Sequence, residues 1–275
     1  MDKKQLIPIV IWGFFLVIAF VLWRVFDNIF YLYNFAYIGT CLALGIFLYI
    51  KNVKYARNAV QLAVGLYMLV YLGFISNENM QIEGFWYFLF LGVFQATVIH
   101  YAVAKVIGPL LFGRGFCGYA CWTAMVLDLL PYKIPHNPRK KIRYINYILF
   151  LISLLFVSAL FLLSLPNLES IMFWSFIIGN AAYYFCGIML AFLLKDNRAF
   201  CKYICPITVL LRPPSYFTLI RIKNDMEKCI MCSKCLKVCP MDVDMKDNSR
   251  KRKYGNECIL CLKCADECPK KALYL

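Results

Sequence analysis

Between residues 6 and 194 the chain alternates long apolar runs with short polar connections. The runs cover residues 6–23, 29–50, 59–75, 85–106, 142–165 and 171–194. Each approaches the roughly 20 residues that an α-helix needs to cross a bilayer. Six in succession with so few charges argue against the interior helices of a soluble protein. The pattern predicts an all-α polytopic membrane bundle of about six transmembrane helices. No small-residue cleavage site follows the first run, so it reads as a retained helix and not as a signal peptide. From about Arg221 the pattern changes: residues 222–275 hold eight cysteines and many charges, and no run long enough to span. The chain therefore divides into two N-terminal transmembrane helices (residues 1–57), a four-helix membrane core (58–220) and a small cytoplasmic domain (221–275).

Composition agrees. The chain of 275 residues is 62% hydrophobic and 16% charged, with a net charge of +15, whereas soluble domains are near half apolar and a quarter charged. The bases fall in alternate connections. Lys3 and Lys4, then Lys51, Lys54 and Arg57, then Arg114, Lys133, Arg139, Lys140, Lys141 and Arg143, then Lys195, Arg198 and Lys202 define one side. The connections at residues 77–84 and 166–170 carry Glu78, Glu83 and Glu169 but no base. The positive-inside rule then predicts a multi-pass protein of the cytoplasmic membrane with both termini in the cytoplasm. Membrane lipids are its expected surroundings.

The C-terminal domain repeats one motif. Cys229, Cys232, Cys235 and Cys239, then Cys258, Cys261, Cys264 and Cys268, each follow C-x2-C-x2-C-x3-C-P, ending at Pro240 and Pro269. Three cysteines on a tight loop wrap three corners of an iron–sulfide cubane, and the fourth reaches a second cubane more easily than the first. A domain this small also needs a metal or cluster to complete its core. Zinc sites and disulfides are the alternatives, but zinc rarely needs eight cysteines in this triple spacing, and a cytoplasmic location opposes disulfides. The domain resembles bacterial dicluster ferredoxins, small α+β proteins. That resemblance implies two [4Fe–4S] clusters, one on Cys229, Cys232, Cys235 and Cys268, the other on Cys258, Cys261, Cys264 and Cys239.

A second repeat lies at the membrane edge. Arg114-Gly-Phe-Cys117-Gly-Tyr-Ala-Cys121 matches Arg198-Ala-Phe-Cys201-Lys-Tyr-Ile-Cys205, at a constant offset of 84 residues. Each copy follows a predicted helical hairpin in the same orientation, which predicts a pseudo-two-fold axis along the membrane normal. If each segment is helical, i, i+4 spacing puts both thiols on one face. Two such faces supply four thiolates for an additional iron–sulfur cluster or metal; otherwise these are packing cysteines. Here the chain resembles the membrane-bound polyferredoxins that include the quinol dehydrogenase of periplasmic nitrate reduction. The resemblance covers most of residues 85–275. Cys201 to Pro206 fits that family's C-x3-C-P motif, whereas the first copy has Trp122 in place of proline, and the first two helices exceed the four-helix plan. The resemblance implies an iron–sulfur electron-transfer protein, an electron-transfer partner such as a multisubunit redox complex, and a quinone as substrate.

Other candidates are few. His100 and Tyr101 within the fourth run are a candidate quinone site, because an ionisable group at membrane depth is a functional candidate; the alternative is a histidine bonded to a neighbouring helix. Lys105 is expected to snorkel to the interface. The run Arg250-Lys251-Arg252-Lys253 lies within residues 222–275, which hold twelve Lys and Arg against eight Asp and Glu. It reads first as a solvated insert facing anionic headgroups and second as a docking patch for an acidic partner; no nucleic-acid partner is expected. No nucleophile–base pair, phosphate loop or paired acid–base carboxylates appear. Three functions stand: a redox subunit such as a quinol dehydrogenase, an assembly or metal-reductase factor, and a membrane redox sensor.

Overall fold

The computed structural model describes residues 3–93, 96–142 and 144–275. Five of its helices are long and apolar enough to cross a membrane: α1 (Lys3–Phe26, apolar from Leu6), α2 (Ile29–Ile50), α3 (Ala56–Ile75), and two described below. Asn28 ends the turn after α1 and accepts the Phe30 N–H at 2.9 Å, capping α2. α1 and α2 pack as an antiparallel hairpin, where Gly39 lets the α2 backbone approach Phe15. The second half of α3, Tyr67–Ile75, is wound as a π-helix.

The fourth predicted span is not one continuous helix. It divides into α4 (Ile82–Phe90) and α5 (Thr97–Phe112). Gly92 takes φ +69°, a left-handed conformation that glycine adopts without steric cost, and the chain turns there. Residues 94 and 95 of that predicted span lie outside the described residues. Thr97, at the start of α5, returns to donate to Glu78 at 3.1 Å, beside the foot of α4. Among the described residues five helices are thus long and apolar enough to span, with a broken segment between the third and fourth.

Two short helices, α6 (Gly115–Tyr119) and α7 (Trp122–Leu127), follow α5. The fourth and fifth spanning helices are α8 (Ile145–Leu162) and α9 (Leu168–Leu194). Side chains such as Phe185, Leu162 and Leu193 stand exposed on them, as lipid-facing positions do. After α9 come α10 (Ala199–Tyr203) and α11 (Thr208–Tyr216).

The C-terminal domain is small. β1 (Lys223–Asn224) pairs antiparallel with β2 (Leu273–Tyr274) and closes its two ends. Between them lie α12 (Lys234–Lys237) and α13 (Lys263–Asp266), one per cysteine motif. The two halves superpose at an offset of 29 residues. Positive φ recurs at Met231 and Leu260, at Ser233 and Leu262, and at Asp242 and Lys271. The cysteine spacing thus dictates the same tight loop twice, including its left-handed turns.

This domain is docked on the end of the bundle that carries α6 and α10. The Arg114 N–H donates to the Cys258 carbonyl at 3.1 Å, and the Tyr119 hydroxyl to the Leu260 carbonyl at 2.9 Å. Tyr49 at the end of α2 donates to Asp266 at 2.7 Å. Gly118 faces the carbonyl oxygen of Ile259 so closely that a Cβ there would overlap it. Gly118→Ala should therefore force the two units apart, at a cost of about 1–3 kcal/mol. Faster tryptic cleavage around residues 217–223 than in wild type is the expected readout. Gly13→Ala, where a Cβ meets nothing, should leave the cleavage rate unchanged.

Candidate iron–sulfur centre

The membrane-edge repeat holds at the level of backbone. α6 and α10 are the same five-residue helix, 84 positions apart. In each, the second cysteine donates its N–H back to the phenylalanine carbonyl: Cys121 to Phe116 at 3.1 Å, Cys205 to Phe200 at 3.0 Å. Both helices end at tyrosine, so Cys121 and Cys205 lie beyond them. The expectation of two thiols on one helical face is thus corrected: a break follows Tyr119 and Tyr203, and the second thiol of each pair sits on a turn. Trp122 occupies the place of Pro206 without altering this turn; its indole donates to Asn180 at 2.8 Å.

The structure brings the four membrane-edge cysteines together. Cys117 and Cys201 are buried. Burial and then neighbouring Cys117 push the Cys121 thiol up to about 11. Burial pushes Cys201 up to about 12, with Cys205, Cys117 and Cys121 adding to it against the opposing charge of Arg198.

Two arginines cross between the repeats. Arg114 points a guanidinium nitrogen at its own Cys117 Sγ (3.8 Å) and at the Cys201 carbonyl (3.5 Å). Arg198 points at its own Cys201 Sγ (3.9 Å) and donates to the Cys117 carbonyl (3.0 Å). Each arginine thus ties its own thiol to the other copy's backbone, as a two-fold arrangement requires. Both side chains are fully buried, and such cations need carboxylates. Asp128 receives Arg198 through two bonds, at 2.8 and 2.6 Å, and Arg57 at 2.8 Å. Burial would raise its carboxyl, but Arg198 and then Arg57 hold it below the ordinary range. The counterpart of Asp128 at the 84-residue offset is Arg212, so the symmetry fails there. The C-terminal domain supplies the missing charge. Glu257, buried beside Cys258, lies 3.7 Å from Arg114, 3.1 Å from Arg212 and in a short contact with Arg139.

The eight C-terminal cysteines fall into two groups. One cleft is lined by Cys229, Cys232, Cys235 and Cys268, together with Pro269. In the other group burial pushes Cys239 up to about 12, and Cys261 and Cys258 are the thiols that add to it. The fourth cysteine of each motif thus faces the other motif's trio. Each also accepts a backbone N–H: Cys239 from Val243 and Cys268 from Ala272, both at 3.4 Å. Among the described residues no three His, Cys, Asp or Glu side chains converge on one point. The fit to a cubane rests on the four thiols gathered around one cleft, since the four irons of a cubane each take one ligand. Cys117, Cys239 and Cys264 share one buried cluster with Leu211 and Ile259, so the membrane-edge thiols and the C-terminal ones are contiguous.

His100 and Tyr101 are both buried. The His100 ring stands edge-on to Phe116 at 5.5 Å, and Tyr101 stacks on Phe85 at 4.8 Å. Lys105 does not snorkel: it is fully buried with its ammonium over the Phe116 ring, because α6 folds back across α5. Glu257, Asp128 and the crossing role of Arg114 and Arg198 were missed by sequence reading. The repeated Arg three residues before each first cysteine was the available signal.

Comparison with known proteins agrees with this geometry. A family described as a 4Fe-4S dicluster domain matches residues 221–269, and a 4Fe-4S binding domain matches twice, at residues 94–141 and 180–223. The two copies of the second match each contain one of the membrane-edge pairs. An uncharacterized protein of Methanocaldococcus jannaschii is 26% identical over 160 residues, 54% of this chain and 59% of that protein. A protein of Escherichia coli named as an electron transport protein, YccM, is 32% identical over 65 residues, 24% of this chain and 18% of that protein. The chain thus spans less than two thirds of the length of either relative. No solved structure matches. The chain thus carries 4Fe-4S domains together with helices that are long and apolar enough to cross a membrane.

Glu257 offers a direct test of the docking. Burial raises its carboxyl, but Arg114, Arg139 and Arg212 together hold it below the ordinary range. Its contribution is complete above the unfolded value of about 4.3 and is lost as pH falls through the lower folded value. Glu257→Gln leaves three buried cations short of a charge and should cost about 3–5 kcal/mol. Thermal unfolding should drop accordingly at pH 7, and the variant should lack the wild type's acid-side loss.

Proposed function

We propose that the protein is an integral membrane electron-transfer protein carrying two [4Fe–4S] clusters in its C-terminal domain and a third iron–sulfur site at the membrane edge. Cys229, Cys232, Cys235 and Cys268 would hold the first cluster. Cys258, Cys261, Cys264 and Cys239 would hold the second, and Cys117, Cys121, Cys201 and Cys205 the third. One-electron transfer is the chemistry that such clusters supply when bound. The observation that supports this reading is the shared buried core to which Cys117, Cys239 and Cys264 all belong. It joins the membrane-edge repeat to the C-terminal domain through packed side chains. The arginines Arg114 and Arg198 offset the negative charge of ligating thiolates beside them, and backbone N–H groups on Cys239 and Cys268 do the same in the C-terminal domain.

Electrons would pass between a quinol pool or a cytoplasmic donor and a partner redox protein. His100, buried with its ring edge-on to Phe116 at 5.5 Å, would orient a quinol there. Both termini would face the cytoplasm.

Iron content tests the reading. Two cubanes account for about eight iron atoms per chain and a third adds about four. Anaerobically purified protein should hold about twelve, and Cys117→Ala with Cys201→Ala should lose about four while the dicluster signal in EPR persists. Iron unchanged by that double substitution would remove the third site. A second measurement addresses the donor: a menaquinol analogue should bleach the cluster absorbance, and His100→Phe should slow this by about 10²-fold or more. Bleaching at the wild-type rate would exclude His100 from the route.

A further inference from the structure

Arginines elsewhere in this interface are neutralised. Arg57, Arg114, Arg139, Arg198 and Arg212 each meet a carboxylate. Arg221, Arg250 and Arg252 make no such ion pair, although Asp247 acts on Arg221 and Arg252 from farther off: they line one cleft, whose wall carries no carboxylate among the described residues. The cleft opens between the end of α5, the end of α11 and the loop that precedes Cys258. Its arginines are held in place by backbone. Arg250 donates to the Thr218 carbonyl at 2.9 Å and to that of Tyr216 at 3.2 Å; Arg252 donates to the Ile222 carbonyl at 2.7 Å. Two further donors are left over. Ser215, 2% exposed, lines the cleft with its hydroxyl unpartnered, and a buried Arg221 nitrogen is unpartnered as well.

Two backbone-anchored guanidinium groups, the Arg221 guanidinium and a buried hydroxyl around one cleft suit a tetrahedral oxyanion. Guanidinium presents paired N–H groups that match phosphate oxygens, and such pairs are charge-assisted. The position of the cleft selects the source. Residues 219 and 220 run along the last turn of α5, with Leu219 N–H on the Leu110 carbonyl at 2.8 Å and Ile220 N–H on that of Leu111 at 2.9 Å. The cleft is therefore at the end of the apolar helix α5, on the side that the proposed topology turns to the cytoplasm. Phe217 and Leu219 beside it are 62% and 68% exposed, and apolar side chains there meet acyl chains at no cost. Basic pockets on the cytoplasmic side of membrane helices bind anionic headgroups for this reason.

We infer that Arg221, Arg250, Arg252 and Ser215 form a binding site for the phosphate of an anionic membrane phospholipid, with Phe217 and Leu219 against its acyl chains. The inference rests on the membrane placement of the bundle and not on the route of the electrons. The site fixes the height of the C-terminal domain relative to the bilayer, since Arg250 and Arg252 belong to that domain while Ser215 ends α11.

The test uses detergent-solubilised full-length holoprotein, titrated with dihexanoyl phosphatidylglycerol in one arm and inorganic phosphate in another, with adducts counted by native mass spectrometry. One phosphatidylglycerol should bind per chain. Arg221→Gln with Arg250→Gln should weaken it about tenfold or more, at the loss expected for charge-assisted bonds. Unchanged cluster absorbance would show that this variant is folded. Lys270→Gln, which lies at the other cleft beside Cys229 and Cys268, should bind as wild type does. Inorganic phosphate should bind more weakly, lacking acyl contacts. Phosphate binding as tight as the lipid would overturn the lipid source, and lipid binding indifferent to the double substitution would overturn the site. Ser215→Ala should weaken the lipid by a smaller factor, and no change there would remove the hydroxyl from it.

Discussion

Burying an arginine without a carboxylate is costly, and this fold buries two at its centre. Arg114 and Arg198 sit three residues before the first cysteine of each membrane-edge pair, where their guanidinium groups reach both repeats. Everything around them answers to that charge. Asp128 serves Arg198 from within the membrane unit. No equivalent residue exists for Arg114, because the repeat puts Arg212 there. Glu257 has to come from outside, and it brings the C-terminal domain with it. The domain is docked by an electrostatic requirement of the bundle as much as by apolar contact.

The docking has a consequence for redox chemistry. Glu257 directly precedes Cys258, and Arg114 donates its N–H to the Cys258 carbonyl. The group that satisfies the membrane-edge arginine is therefore adjacent in sequence to a thiol of the C-terminal motif. The buried core that Cys117 shares with Cys239 and Cys264 is held by this ion-pair geometry, and separation of the domain would leave Glu257, Arg114, Arg139 and Arg212 mutually unpaired. Rigid spacing of redox centres needs such an anchor, since a flexibly tethered domain would vary the distance between them.

Internal duplication appears at two scales. The 84-residue repeat reproduces α6 in α10, down to the N–H that returns to phenylalanine. The 29-residue repeat reproduces a left-handed residue at three matched positions around each cysteine loop. In both cases the copies differ where the environment differs. Trp122 replaces the equivalent of Pro206 because it borders the buried face of α9, where Asn180 accepts its indole N–H. The turn survives the exchange because the N–H bonds to Phe116 hold it, with or without a proline ring.

The amino-acid sequence by itself determined the apolar runs, the basic side of the membrane, the two cysteine motifs and the membrane-edge repeat. Each is a local property, set by hydropathy over about 20 residues or by spacing of a few positions. It also pointed to the wrong outcome in three places. Gly92 breaks the fourth run, Lys105 is covered by Phe116, and the paired cysteines are split by a helix end. Hydropathy averages over a single glycine, and nothing near Lys105 in sequence reveals that α6 returns across it. Tertiary structure alone decided that Asp128 faces Arg198, 70 residues away, and that Glu257 faces Arg114, 143 residues away. Those pairings arise because buried charges must find partners wherever the fold places them, and spacing along the chain carries no trace of that search.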